Sequence, residues 1–183
     1  MRSHFPGRRP SPFEQPSRGR LEAALLAGSI AIALNTLVLK AADLIHLPTA
    51  RGGLLRLLWM AMAQMSQSLG ASGFASPFPT STGFQTGFHL FVGILMALFY
   101  AFAIEAALST PPWVNGALYA AAVWLLNAVF VLPATGEGFA GSTHLTMAGM
   151  IWYGTAHTVF FILLTVVYAA LRRPRPPREC AHA

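Results

Sequence analysis

The sequence predicts an all-α integral membrane protein: a four-helix bundle with both termini in the cytoplasm and one extra amphipathic helix after the first span. Of the 183 residues, 55% are apolar and only 10% are charged, whereas a soluble domain carries roughly 25% charged residues. A hydrocarbon core of about 30 Å is crossed by ~20 helical residues. Four apolar stretches reach that length, at about residues 21–47, 85–108, 113–132 and 148–171.

Arginines cluster at the two ends of the chain, outside these apolar stretches. Such clusters mark the cytoplasmic side of a membrane protein and attract anionic lipid headgroups. The net charge of +6 therefore indicates contact with the lipid bilayer rather than with nucleic acid. Residues 1–20 are predicted to be a disordered basic tail, and residues 172–183 a second basic tail. The arginines concerned are Arg2, Arg8, Arg9, Arg18 and Arg20, then Arg172, Arg173, Arg175 and Arg178.

The segment 53–69 is apolar, but we predict that it does not span the membrane. It is short and contains Arg56, Gln64 and Gln67. A fifth span would also place the arginine-rich C-terminal tail outside, against the charge distribution. The segment is therefore predicted to be an amphipathic helix that lies at the outer interface or dips into the bundle. Outer loops are predicted at 70–84 and 134–147, with a flexible tip at Gly136 to Gly138.

The four spans resemble two copies of one helical hairpin. The stretch from His89 to Ala101 matches that from His157 to Ala169, with identical His, Ile, Leu, Tyr and Ala residues. Such a pattern predicts a parallel duplication about an axis along the membrane normal. In the other two spans, Ala24, Gly28 and Asn35 correspond to Gly116, Ala120 and Asn127. Small residues four apart favour close helix packing in lipid, so these faces are predicted to be buried.

Four polar residues, one from each span, are predicted to form a buried layer: Asn35, His89, Asn127 and His157. With a rise of ~1.5 Å per residue, each lies roughly 20–24 Å from the cytoplasmic side. Polar side chains at that depth are costly unless they are paired, so they should point into the bundle.

Three interpretations of this layer are open. Its residues could bond one another and only fix the register of the helices. They could instead line a pocket that admits a proton, an ion or a small polar ligand, since the pKa of histidine lies near ~6.5. A pair of histidines could also ligate a haem or a metal, and the chain would then be a haem- or quinone-linked redox membrane protein. The sequence, however, has no attachment motif and no Asp or Glu at that depth.

Further polar residues are predicted at the outer mouth of the bundle. Lys40 and Asp43 are three residues apart and are expected to pair locally or to snorkel. The other candidates for a rim around an entry are His46, Glu137 and His144. Glu105, at the cytoplasmic end of the second span, is expected to be an ordinary solvated carboxylate.

The sequence carries no catalytic constellation. It has no HExxH motif, no phosphate-binding glycine loop and no Ser-His-Asp set that the topology could bring together. The single cysteine, Cys180, excludes an internal disulfide and a cysteine-rich metal site. The sequence therefore predicts a non-enzymatic protein without a cofactor, and a homodimer is compatible with so small a bundle.

The order of these residues resembles the YagU-like family of small bacterial inner-membrane proteins. The resemblance implies residence in the inner membrane and a link to survival of acid stress, without a defined biochemical activity. One departure is Asn127, near which the family pattern carries a histidine. The shared features are Phe13-Glu14-Gln15, Lys40 to Asp43, Leu47-Pro48, Arg51, His89, Tyr100, Glu105, Phe130 to Pro133, Gly136, His157 and Arg172-Arg173.

Overall fold

The structure is a computed structural model that describes residues 17–48, 53–70 and 78–172, and this part of the chain is helical with no strands. Four of its helices are long and apolar enough to cross a membrane. The predicted all-α fold is confirmed, and these four helices are compatible with a multi-pass membrane protein. The five main helices are α1 (Ser17–Leu44), α2 (Gly53–Ser68), α3 (Thr82–Ala107), α4 (Pro112–Ala134) and α5 (Met147–Arg172).

The ends of α1 differ from the prediction. The helix begins at Ser17, inside the stretch expected to be a disordered tail, and it stops at Leu44 instead of reaching residue 47. The backbone turns at His46, which has a φ of 53°, a conformation that cannot continue a right-handed helix. Residues 1–16, 49–52, 71–77 and 173–183 lie outside the described residues, and these segments include Arg51 and Cys180.

The spans form an open arc in which α1 packs against α3 and α5, and α5 packs against α4. Glycines permit these close contacts. A Cβ on Gly28 would come within 2.6 Å of the Ala97 Cβ, and one on Gly116 within 2.6 Å of the Ile162 Cα. The small residues predicted to be packing faces, Ala24, Gly28, Gly116 and Ala120, are all buried.

In each of the two hairpins, a glycine of the first helix packs against the same two aligned positions of the second helix. The two glycines that correspond in this way differ by one helical turn from the pairing predicted from the sequence. Gly28 faces Ile94 and Ala97, and Gly116 faces Ile162 and Thr165, which are the aligned positions on the second helix of each hairpin. Gly28 therefore corresponds to Gly116 and not to Ala120. The packing of the two hairpins against each other is asymmetric, because α1 packs along α5 while long side chains such as Tyr119 bridge α3 and α4.

We call the end of the bundle where α1 begins and α5 ends the basic end. Here Glu105 was expected to be freely solvated, and the structure corrects that expectation. The Tyr168 hydroxyl donates to Glu105 Oε2 at 2.7 Å. Arg20 Nε lies 3.6 Å from the same oxygen, and Arg172 Nε lies 4.0 Å from Oε1. The half-buried carboxylate thus links α1, α3 and α5 at this end.

The opposite end, which we call the loop end, is covered by α2. Gly53 and Leu55 of this helix are buried, and α2 contacts the last turns of α4. A Cβ on Gly53 would meet Leu132 Cδ2 at 3.0 Å, so the start of α2 lies in close contact with α4. The first residues of α2, Gly53, Leu54 and Leu55, line the space between the four long helices.

Candidate functional site

A cavity of about 170 Å³ lies between the spans in the half of the bundle nearer the loop end, and it is partly open. All four residues of the predicted polar layer line it, together with Gln85, Tyr153 and the first residues of α2. The cavity extends from Gln85 to Met96 along α3, which corresponds to about 16 Å of helix. The structure thus brings one polar residue from each span to a common space.

Asn35 joins three of the spans. Its amide Nδ2 donates to the carbonyl oxygen of Ala156 on α5 at 2.8 Å. Because a backbone carbonyl can only accept, this contact fixes the orientation of the amide. Asn35 Oδ1 then accepts from Nε2 of His89 on α3 at 2.9 Å. The side chain is 3% exposed, so these bonds form where water does not compete.

The two histidines are held in opposite tautomers. His89 carries its proton on Nε2, since Asn35 Oδ1 can only accept. His157 carries its proton on Nδ1, which donates to the carbonyl oxygen of Tyr153 at 2.8 Å. Neutral imidazole has one donor and one acceptor nitrogen. Nδ1 of His89 and Nε2 of His157 are therefore the nitrogens with open lone pairs.

Asn127 and Gln85 are oriented by the same rule. The Asn127 amide nitrogen donates to the Val123 carbonyl at 2.9 Å, within its own helix. The Gln85 amide nitrogen donates to the Pro79 carbonyl at 3.2 Å. Each side chain therefore keeps its carbonyl oxygen as an open acceptor. Asn127 does not bridge two helices, so its role differs from that of Asn35, to which the sequence alignment matched it.

The local backbone of α4 changes where it meets the cavity. A π-helical turn covers Asn127–Val131, and a second one covers Tyr100–Ile104 in α3. Turns of this type insert one residue into an α-helix and are frequent at functional sites. The turn in α4 therefore sets the direction from which Asn127 faces the cavity.

Aromatic side chains close the cavity towards the basic end. The Tyr119 hydroxyl donates to the Met96 carbonyl at 3.3 Å. The ring centroids of Tyr119 and Phe161 are 4.3 Å apart, and those of Tyr100 and Tyr168 are 5.5 Å apart. All four rings are at most 5% exposed. Dense packing thus separates the polar cavity from the ion pairs around Glu105.

Glu137 was expected on a flexible loop tip, and the structure places it in a compact, buried turn. Its residue exposure is 3%. The Glu137 N–H donates to the Leu132 carbonyl at 2.9 Å, and the Thr143 N–H donates to the Glu137 carbonyl at 3.0 Å. Burial raises the pKa of the Glu137 carboxyl, although the positive charges of Arg56 and His144 act to lower that pKa. The carboxylate also interacts electrostatically with Tyr153 of the cavity wall.

The other residues predicted at the outer mouth do not line the cavity. Lys40, Asp43, His46 and His144 are all exposed at the loop end. Within the described residues, Lys40 and Asp43 form no ion pair with each other within 4.0 Å. Glu137 connects this periphery to the site, because it interacts electrostatically with Arg56 and His144 and also with Tyr153 of the cavity wall.

Sequence reasoning missed Tyr153 and Gln85. Tyr153 lies four residues before His157, one turn away on the same helical face, and their rings are 4.2 Å apart. Gln85 lies four residues before His89 in the same way. A search for polar residues one turn from each buried histidine would have identified both.

The site fits a small ligand better than it fits a haem. Pockets for drug-sized molecules occupy about 300–1,000 Å³, and a haem is at least that large, whereas this cavity has about 170 Å³. Among the described residues, no group of three or more His, Cys, Asp or Glu side chains is placed to hold a metal ion. The haem interpretation therefore gains no support from the geometry.

The chain matches no protein-family model, no curated protein and no solved structure. The cavity and its hydrogen bonds are therefore the basis for any proposal about function.

Asn35→Leu should destabilise the protein more than Asn127→Leu does. The first substitution leaves Nε2 of His89 without its acceptor and removes the bond from α1 to the Ala156 carbonyl on α5, at a cost of about 1–2 kcal/mol. The second removes a bond within one helix only. Thermal unfolding in detergent would measure both changes, and equal losses of stability would contradict the assigned role of Asn35.

Glu137→Gln should change how stability depends on pH. The pKa of the Glu137 carboxyl is higher in the folded protein than its ordinary value of 4.5. The stability that the protonated carboxyl contributes is therefore fully present below pH 4.5, and it is lost as the pH rises through the raised pKa. The midpoint of thermal unfolding of the Gln variant, minus that of the wild type, should therefore grow with rising pH. Glu22→Gln, at an exposed position on α1, is the control. A difference independent of pH would show that Glu137 ionises as readily as in the unfolded chain.

Proposed function

We propose that the chain is a non-enzymatic protein of the bacterial inner membrane that binds a small polar solute in its cavity and responds to protonation of His89 and His157. The observation that carries this proposal is the convergence of four polar side chains, one from each span, on one cavity. Polar groups are costly in a membrane interior and commonly mark a site when they face a shared space.

The closed aromatic layer favours a binding pocket over a continuous pore. A pore would need polar groups or water along the whole bundle, and the half near the basic end is filled instead by Tyr100, Tyr119, Phe161 and Tyr168. Solute would enter and leave at the loop end, where α2 covers the cavity with Leu54 and Leu55. Movement of α2 would then control access.

Protonation supplies a physical reason for α2 to move. Each histidine already uses one nitrogen as a donor, so an added proton must go to the open nitrogen. Two imidazolium rings would repel each other, and among the residues that the structure describes no acidic side chain lines the cavity to balance them. Water would have to enter the cavity to solvate these charges, which favours displacement of α2.

The arginine-rich basic end is proposed to face the cytoplasm, as the distribution of positive charge favours. The loop end and the cavity then face the outside, where acid would reach the histidines first. This arrangement suits the link to acid stress that the family resemblance implies.

A structural role is the second candidate, and the bonds of Asn35 favour it. They fasten α1 to α3 and α5, as expected for polar residues that set helix register. On this alternative the protein would serve as a stable partner in an assembly, and the protonation state of the histidines would not alter access to the cavity.

Cysteine labelling from outside the membrane distinguishes these candidates. In a Cys180→Ser background, Val92→Cys places one thiol in the cavity wall. Labelling by an impermeant maleimide should accelerate several-fold, relative to Ser142→Cys on the exposed loop, as the pH falls from 8 to 4. Normalising to Ser142→Cys removes the dependence of thiol reactivity on pH.

A background carrying His89→Gln and His157→Gln is the control. Glutamine keeps a polar amide but does not titrate, so the normalised labelling rate should become independent of pH. If both backgrounds give the same pH profile, the histidines do not control access and the structural role is favoured.

A further inference from the structure

Two arginines at the basic end leave their hydrogen-bond donors open. Arg20 of α1 and Arg172 of α5 each place Nε beside an oxygen of Glu105, at 3.6 and 4.0 Å. These distances are those of ion pairs and are too long for hydrogen bonds. A guanidinium group carries five N–H donors, and neither arginine forms a hydrogen bond within the part of the chain that the structure describes. The Arg172 Nε atom is even buried without such a partner.

The cluster of Arg20, Glu105 and Arg172 carries a net positive charge. Two guanidinium groups face a single carboxylate, and one oxygen of that carboxylate also accepts from the Tyr168 hydroxyl at 2.7 Å. Glu22 lies two residues beyond Arg20, a rotation of roughly 200° around α1, and it forms no ion pair with either arginine among the described residues. One positive charge of the cluster is therefore left without a described partner.

The local structure of α3 helps to hold the two guanidinium groups in place. The π-helical turn Tyr100–Ile104 ends directly before Glu105, and turns of this type are frequent at functional sites. Phe102 within the turn lies beside Arg20, with the guanidinium carbon 6.0 Å from the ring centroid. Tyr168 stands in the same relation to Arg172, also at 6.0 Å. Aromatic faces attract a cation at up to about 6 Å, so a ring and a carboxylate direct each arginine.

Exposed apolar side chains adjoin the cluster. Leu21 and Leu171 are the sequence neighbours of the two arginines, and both are exposed, as is Phe102. At the end of a membrane helix, apolar side chains of this kind contact acyl chains, while arginines lie at the level of the headgroups. A ligand that meets both the open guanidinium groups and this apolar surface is amphiphilic.

We propose that Arg20 and Arg172 bind the phosphate of an anionic phospholipid such as phosphatidylglycerol, and that Glu105 positions the two side chains. Guanidinium groups bond pairs of phosphate oxygens, and basic pockets between membrane helices bind anionic headgroups. The single negative charge of a phosphodiester matches the positive charge left open in the cluster. A zwitterionic lipid would add an ammonium group, for which Glu105 has no free oxygen, since both are engaged.

This lipid site goes beyond the proposed function and does not depend on it. It lies at the opposite end of the bundle from the cavity, and the buried rings of Tyr100, Tyr119 and Phe161 lie between the two. A lipid held by both arginines would connect the first turns of α1 with the last turns of α5.

Native mass spectrometry of the full chain tests the site. The protein is equilibrated with micelles that contain equal amounts of phosphatidylglycerol and phosphatidylcholine, and the lipids that remain bound are counted. The wild type should retain phosphatidylglycerol in preference to phosphatidylcholine. Arg20→Gln combined with Arg172→Gln should lower the affinity for phosphatidylglycerol by about tenfold or more, because charge-assisted hydrogen bonds are lost.

Arg8→Gln combined with Arg9→Gln is the matched control. It removes the same charge from the same end of the chain, at positions outside the described residues, and it should change retention much less. An equal loss in the two double variants would show a general attraction to positive charge and would overturn the site.

A variant that conserves charge keeps the test decisive if the glutamine substitutions unfold the chain. Arg20→Lys combined with Arg172→Lys retains both positive charges beside Glu105 but replaces each planar fork by a single ammonium group. The affinity for phosphatidylglycerol should fall several-fold, and wild-type affinity in this variant would contradict the assignment.

Two further outcomes bear on the source of the phosphate. An excess of inorganic phosphate should not displace the lipid, because it lacks acyl chains. Displacement by inorganic phosphate would indicate a site for a soluble anion, and equal retention of phosphatidylcholine would remove the selectivity for anionic lipid. Either result overturns the lipid site, whereas the labelling of Val92→Cys tests the proposed function separately.

Discussion

Asn35 is the constraint on which the rest of the site depends. A single amide group that is 3% exposed bonds the backbone of α5 and the ring of His89 on α3. Since the amide has one acceptor and its nitrogen is used on a carbonyl, the tautomer of His89 is fixed as well. The helices cannot slide past one another without breaking these bonds. One residue thereby sets helix register and the chemistry of the cavity together.

The two halves of the bundle are packed differently. Near the basic end, Glu105 pairs with Arg20 and Arg172, and buried tyrosine and phenylalanine rings fill the space above these ion pairs. Near the loop end, the space between α3 and α4 remains as the cavity. A filled half at the basic end, and a cavity lined by the first residues of α2 at the loop end, are what a pocket with access from one side requires.

The sequence predicted the four spans because their length and apolar composition depend only on the bilayer. It also predicted that Asn35, His89, Asn127 and His157 belong together, since depth follows from helical rise. It could not give the hydrogen-bond partners, because these depend on helix rotation and on the π-helical turn at Asn127. Nor could it show that Glu137 is buried, since the glycines around it suggested a mobile loop and not a compact turn.

Nitrogen-15 NMR of the two imidazole rings tests the central claim most directly. The chain has six histidines, and replacing His4, His46, His144 and His182 leaves only the cavity pair. At pH 8 the account predicts opposite tautomers, with the proton on Nε2 of His89 and on Nδ1 of His157. A proton on Nδ1 of His89, or on Nε2 of His157, would contradict the assigned hydrogen bonds.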